Sequence, residues 1–271
     1  MHASAHHGAL TSSPQVLSLQ VLRNLKRSIH VELCLAPHPN IVRLHGWSVE
    51  PNKGRVMLVM EYVGGGCLGT HISSGVAAQW SLDEVLNVAQ HLATGVAFLH
   101  AHTPPIVHRD IKPENVLFGK LSLVAKLADF GTSRAIDDSS MTEFAVGTML
   151  FSSPEQLRYS KYDAAVDVWA LGCVFACIAR GDTSPCAAVD GCDGSVQLRE
   201  HLLSGRDTPS AATPVGHCLH EYVRDCCVEA PLRPTAAVLR ERLLAAMEMS
   251  RTPTPLENRR PGPSPNAEAR P

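Results

Sequence analysis

The 271-residue chain is 45% hydrophobic and 18% charged, with a formal net charge of −2. That composition suits a globular protein, either one large domain or two small lobes around a cleft. It lacks the strong positive charge expected where nucleic acid or an anionic membrane is the main partner. The nine cysteines show neither CxxC pairs nor zinc-type spacing with histidine, which predicts reduced thiols in a soluble, cytoplasmic protein and no disulfide framework. The opening MHASAHHGAL has no apolar signal-like stretch. The most apolar run, 168–179, is too short to span a bilayer.

Residues 1–13 are small and polar, with three histidines among the first seven, and predict a disordered start. Between Val16 and Leu35, residues Leu22, Leu25, Ile29 and Leu33 recur at helical spacing, and Pro37-His38-Pro39-Asn40 stops the run. Val56 to Tyr62 reads as a strand, followed by a flexible Gly64-Gly65-Gly66 connector. Leu82 to Ala101 places Leu82, Val85, Leu86, Ala89, Leu92, Ala93, Val96 and Leu99 on one face of a long helix, ended by Thr103-Pro104-Pro105. Val116 to Phe118 and Val124 to Ala128 predict a short hairpin. Helices are predicted over Asp163 to Arg180, Gln197 to Leu203, His217 to Cys227 and Thr235 to Met249. The Pro-rich end, from 250 onward, has too little apolar side chain to offset ordering entropy and predicts a disordered tail.

The chemistry lies in two strings. His108-Arg109-Asp110-Ile111-Lys112-Pro113-Glu114-Asn115 comes first, and Asp129-Phe130-Gly131 follows, with Asp129 19 residues after Asp110. Moving a phosphoryl group from ATP to a hydroxyl requires a carboxylate beside the attacking oxygen and a divalent metal held against the phosphates. Asp110 can be that carboxylate. Asn115 and Asp129 offer the hard oxygen ligands that Mg²⁺ prefers.

With Lys112 and Asn115 at matching spacing, the ordered strings resemble the eukaryotic protein kinases of the serine/threonine type. The resemblance implies an α+β, two-lobe protein-kinase-like fold over 14–249, with a partial small lobe at 14–63 and an intact helical large lobe at 64–249. It implies ATP and Mg²⁺ as cofactors and a protein Ser or Thr hydroxyl as acceptor. Asp110 would orient that hydroxyl, Lys112 would contact the transferring phosphate, and Asn115 and Asp129 would hold the metal. Met60-Glu61-Tyr62-Val63 is similar to the adenine-binding hinge: backbone groups of Glu61 and Val63 would meet the purine and Met60 would control the back pocket. His108 and Phe130 are expected to pack into the core that links the lobes.

Gly147-Thr148 and Ser153-Pro154-Glu155 resemble the segment that receives the peptide, with serine where the family usually has alanine. Glu155 is expected to pair with Arg233, and Asp167 to hold the backbone of the catalytic loop. Arg109 beside Asp110 implies a switch by loop phosphorylation, Thr142 being favoured over Ser139 and Ser140; a merely polar loop fits the residues equally.

The upstream part departs from the pattern. Between Met1 and Tyr62 the glycines are Gly8, Gly46 and Gly54, so no GxGxxG loop is formed. The helix glutamate expected nine residues before His38 falls on Ile29, and Glu32 is the nearest acid. Leu17 to Leu22 either resembles the lysine strand, with Gln20 in place of the lysine, or belongs to a helix. Two functions fit: an active serine/threonine kinase, or a weak or inactive pseudokinase acting as a binding scaffold.

Overall fold

A computed structural model describes residues 29–50, 55–135, 149–186, 195–205 and 208–251. The proposed terminal segments, Gln20, Thr142 and Gly147-Thr148 lie outside them. Residues 29–34 are helical (α1). Ile29 and Glu32 are buried there, whereas Leu33 is 44% exposed, so the apolar stripe expected to run through Leu33 stops short of it.

Strands β1 (Leu44–Glu50) and β2 (Arg55–Met60) form an antiparallel hairpin with Trp47 opposite Leu58 and Val49 opposite Val56. The strand ends at Met60, before Tyr62, although the Glu61 N–H still bonds to Arg43 O, the next residue in register, at 2.8 Å. The connector predicted to be flexible is clamped instead. Gly65 N–H donates to Phe118 O at 2.8 Å, and Phe118 N–H donates to Gly66 O at 3.0 Å. A Cβ at Gly65 would sit 2.4 Å from Gly119 O, so the close approach requires glycine. A short helix not read from the sequence, α2 (Leu68–Ser73), follows.

The helical layer is built on α3 (Leu82–His100) and α5 (Ala165–Arg180). Helix α3 opens on a capping box in which Ser81 and Glu84 satisfy each other's backbone N–H groups. Its first residue, Leu82, is half exposed, unlike the rest of the apolar face. Every residue of α5 from Val166 to Ile178 is buried, as expected of a helix apolar on all sides. Helix α9 (Ala236–Arg251) packs along α3, and α8 (His220–Cys226) along α5. The shorter α4 (Pro154–Leu157), α6 (Ser195–Leu203) and α7 (Pro209–Ala212) flank them.

Two small antiparallel pairs sit above this layer: β3 (Ile106–Val107) with β6 (Arg134–Ala135), and β4 (Val116–Gly119) with β5 (Ser122–Leu127). The seam to the β1–β2 hairpin runs through Asn40 and Ile41. Asn40 Nδ2 donates to Ala125 O at 3.0 Å, and backbone bonds join Leu127 to Asn40 and Val42. His38 stacks on Phe98 of α3 with centroids 4.5 Å apart.

Among the described residues eight cysteines are free, no cluster of three or more His, Cys, Asp or Glu could hold a metal, and no helix is long and apolar enough to cross a membrane.

Gly172 lets α5 meet the end of α8: a Cβ there would lie 2.7 Å from both Cys226 Cβ and Cys227 Sγ. Gly172→Ala should therefore destabilise the fold by about 1–3 kcal/mol, although alanine is the better helix former. Urea unfolding monitored by circular dichroism measures it.

Candidate active site

Asp167, in the first turn of α5, is fully buried. Its Oδ2 accepts the His108 N–H at 2.8 Å and lies 2.9 Å from His100 Nε2, while Oδ1 accepts the Arg109 N–H at 2.9 Å. Burial pushes this carboxyl up, but the His100 bond and charge, with the Arg109 N–H, outweigh it and hold the group below the ordinary aspartate range. The ionised form makes His100 Nε2 the donor. Asp167 thus fixes the start of the catalytic loop, as the sequence suggested; His100 went unread, because a lone histidine late in a helix carries no signal.

The loop is held from above as well. Thr132 Oγ1 and Ser133 Oγ both donate to His108 O, and the buried His108 ring packs against Phe130 at 4.8 Å. Arg109 has a left-handed backbone, φ 67°, which costs a non-glycine residue stability and persists only where surroundings enforce it. Its Nε donates to Thr132 O at 2.5 Å and its Nη1 to Tyr162 Oη at 3.3 Å.

Asp110 lies inside this frame, 9% exposed. Its carboxylate accepts from Lys112 Nζ at 2.9 and 3.1 Å and from Asn115 Nδ2 at 2.9 Å. Asn115 Nδ2 also donates to Asp110 O at 2.8 Å, which turns its amide oxygen away from Asp110. The β4–β5 register sets Val116 opposite Leu127, and Ala128 N–H donates to Asn115 O at 2.9 Å. Asn115 and Asp129 are thereby neighbours although 14 residues apart in sequence. Asp129 is exposed, has φ 64°, and accepts the Gly131 N–H at Oδ1. An amide oxygen and an exposed carboxylate are hard donors of the kind that Mg²⁺ takes.

Glu32 completes the upper wall. Burial first, then the charge of Asp129, push its carboxyl up to about 7, although the Phe130 N–H stabilises the anion. Residue counting pointed to Ile29; the structure sets Glu32, one turn later, against Asp129-Phe130. The readable signal was that Glu32 is the acid nearest the expected position.

At the hinge, Lys126 Nζ pairs with Glu61 Oε1 at 2.8 Å and Arg43 N–H donates to Glu61 Oε2. Despite partial burial, the Lys126 bond and the Arg43 N–H hold the Glu61 carboxyl low. Met60 pairs with Leu44 at the end of the hairpin, Tyr62 is 90% exposed, and Val63 is half-buried. Lys126 is another residue the sequence did not single out.

Below the cleft, Arg233 grips Glu155 at 2.5 and 3.0 Å, donates to Val228 O and Ala165 O, and lies over the Trp169 ring at 5.1 Å. Burial opposes ionisation of Glu155, and the Arg233 contacts overcome it. The expected ion pair is present, with two further Arg233 donors on backbone carbonyls, the kind of additional bonding that makes a buried pair tolerable.

Residues 13–240 match the protein kinase domain family. The chain is 35% identical to serine/threonine-protein kinase Nek5 of Mus musculus over 58% of this chain and 25% of that protein. It is 35% identical to serine/threonine-protein kinase Nek2 of Homo sapiens over 62% of this chain and 37% of that protein. Against probable serine/threonine-protein kinase roco5 of Dictyostelium discoideum it is 30% identical over 83% of this chain and 8% of that protein. The chain therefore spans from under a tenth to just over a third of these relatives.

The Glu32 carboxyl supplies a pH test. With a folded pKa near 7 against an ordinary 4.5, it favours the fold below about pH 4.5 and loses that contribution as pH rises through 7. Glu32→Gln, which keeps an acceptor for Phe130 N–H, should raise the melting temperature at pH 8 by a few degrees, since about 1 kcal/mol shifts a domain of this size by roughly 2–4 °C. At pH 4.5 the variant and the parent should melt together. Scanning calorimetry at the two pH values checks both.

Proposed function

The chain belongs to the protein kinase family, and from that premise we propose that it transfers the γ-phosphoryl group of ATP to serine or threonine hydroxyls of protein substrates. The observation that carries this reading is Asp110: a carboxylate at the cleft, bonded to Lys112 and Asn115 and set on a loop that Asp167 anchors. In this scheme Asp110 orients the acceptor hydroxyl and receives its proton as the oxygen bonds to phosphorus and the bond to the β-phosphate breaks. Lys112, already beside that carboxylate, neutralises charge on the transferring group. Asn115 and Asp129 would hold Mg²⁺, which when bound offsets phosphate charge.

The backbone of Glu61 and Val63 would receive adenine, with Met60 behind it. The Lys126–Glu61 pair supports this, because it ties the hinge to β5, the strand leading to Asp129. The domain limits 14–249, with 14–63 in the small lobe and 64–249 in the large one, belong to the same proposal, as does a cytoplasmic setting. The second reading, a slow or inactive scaffold, is favoured by the upstream sequence, where Gly8, Gly46 and Gly54 are the glycines before Tyr62 and form no GxGxxG loop to cover the phosphates.

Asp110→Asn keeps the bonds to Asn115 possible but removes the proton acceptor, and should lower the phosphorylation rate of a generic protein substrate about 10²–10⁴-fold with little change in nucleotide affinity. Equal rates would overturn the assignment; no phosphorylation by the parent, with ATP still bound, would select the scaffold.

Chelating divalent metal should weaken ATP binding by roughly one to two decades, the loss expected for one or more charge-assisted contacts. Calorimetric titration with and without Mg²⁺ measures it.

A further inference from the structure

Behind the catalytic loop, away from the cleft, a cavity of about 650 Å³ opens between the end of α3, the start of α5 and the 230–237 segment that leads into α9. That is the size of a small-molecule site. Its walls are cut back to alanine on three elements: Ala97 and Ala101 on the α3 side, Ala164 and Ala165 at α5, Ala236 and Ala237 at α9. Pro105 and Pro234 stiffen the rim.

The polar groups are few and unequal. The Arg233 guanidinium is already matched by Glu155 through two bonds and is shielded from solvent. Asp163 is exposed; its Oδ1 caps the Ala165 N–H at 2.9 Å, and no basic side chain pairs with it among the described residues. The cavity's uncompensated charge is therefore negative. An anion would be repelled by Asp163, and a purely apolar guest would leave that charge unmatched. His100 lines the same cavity and bonds through Nε2 to Asp167, whose carboxylate holds the His108 and Arg109 amides.

We propose that this cavity binds an amphiphilic cation, an apolar body carrying an ammonium group that pairs with Asp163, and that occupancy reaches the catalytic loop through His100 and Asp167. The site stands on cavity shape and charge, and its binding test does not require the chain to be catalytically active.

The test uses the full chain and three probes of one length: decylammonium, decanol and decanoate, each below its micelle concentration. Calorimetric titration should rank them in that order, with the ammonium about tenfold or more tighter than the carboxylate, as one charge-assisted contact predicts. Asp163→Asn retains an acceptor for Ala165 N–H and should erase the preference for ammonium over alcohol. Ala237→Trp, on an exposed position at the cavity wall, should abolish binding of all three without changing the melting temperature.

Equal affinity for the three probes, or binding that survives Ala237→Trp, would show nonspecific adsorption and overturn the site. Saturating decylammonium should slow amide exchange at His108 and Arg109 severalfold, read by NMR. Unchanged exchange would overturn the coupling to the catalytic loop.

Discussion

Asp167 carries a negative charge into the middle of the helical layer, and the cleft depends on how that charge is compensated. Burying an unpaired carboxylate would cost several kcal/mol. Here two backbone N–H groups and one imidazole converge on it. Those amides belong to His108 and Arg109, the residues just before Asp110, so the compensation and the placement of the Asp110 carboxylate are one event. The left-handed Arg109 backbone becomes intelligible on the same ground: the peptide must turn to aim two successive N–H groups at one carboxylate, and the Asp167 bonds offset the strain.

The two halves of the molecule are joined by polar contacts between segments distant in sequence. Asn40 reaches Ala125, and Lys126 reaches Glu61 across 65 residues. Both land on β5, which leads into Asp129. One strand thus joins the Glu61 segment to Asp129. The clamped Gly65 works in the same sense, since it ties the connector to β4, which begins immediately after Asn115.

Much of the site was legible because it is written in short strings. The spacing of Asp110, Lys112 and Asn115 is local, and the Asp129 string follows a hairpin whose two apolar runs are visible. The long helices were equally legible from their periodicity: α3 starts at Leu82 as expected, after the Ser81 cap, and the other ends differ by up to three residues, as at His220 for an expected His217. What escaped was tertiary. His100 is one histidine on a helical face until α5 brings Asp167 to it. Lys126 reads as a solvated strand lysine until the hinge folds over it. Glu32 was misjudged by counting, because residue spacing along a helix presumes a fixed helix length, and α1 presents its acid one turn later than the pattern supposes. Gly64-Gly65-Gly66 looked flexible because glycine's local freedom is readable whereas the carbonyls crowding Gly65 are not.

The electrostatics of Glu32 and Asp129 bear directly on how nucleotide enters. In the proposed site two carboxylates would face the polyphosphate; burial first and then the charge of Asp129 hold the Glu32 carboxyl up. The negative charge of that wall therefore grows as pH rises and Glu32 ionises. A polyanion approaching that wall is repelled unless the charge is inverted locally, and Asn115 and Asp129 supply the oxygen pair at which a divalent cation can do so. In the proposed reaction metal and nucleotide would therefore be coupled ligands: each would lower the electrostatic barrier to the other, and by linkage the coupling would be reciprocal. An ammonium group against Glu32 would relieve the same repulsion, lower that carboxyl's pKa and loosen the dependence on metal.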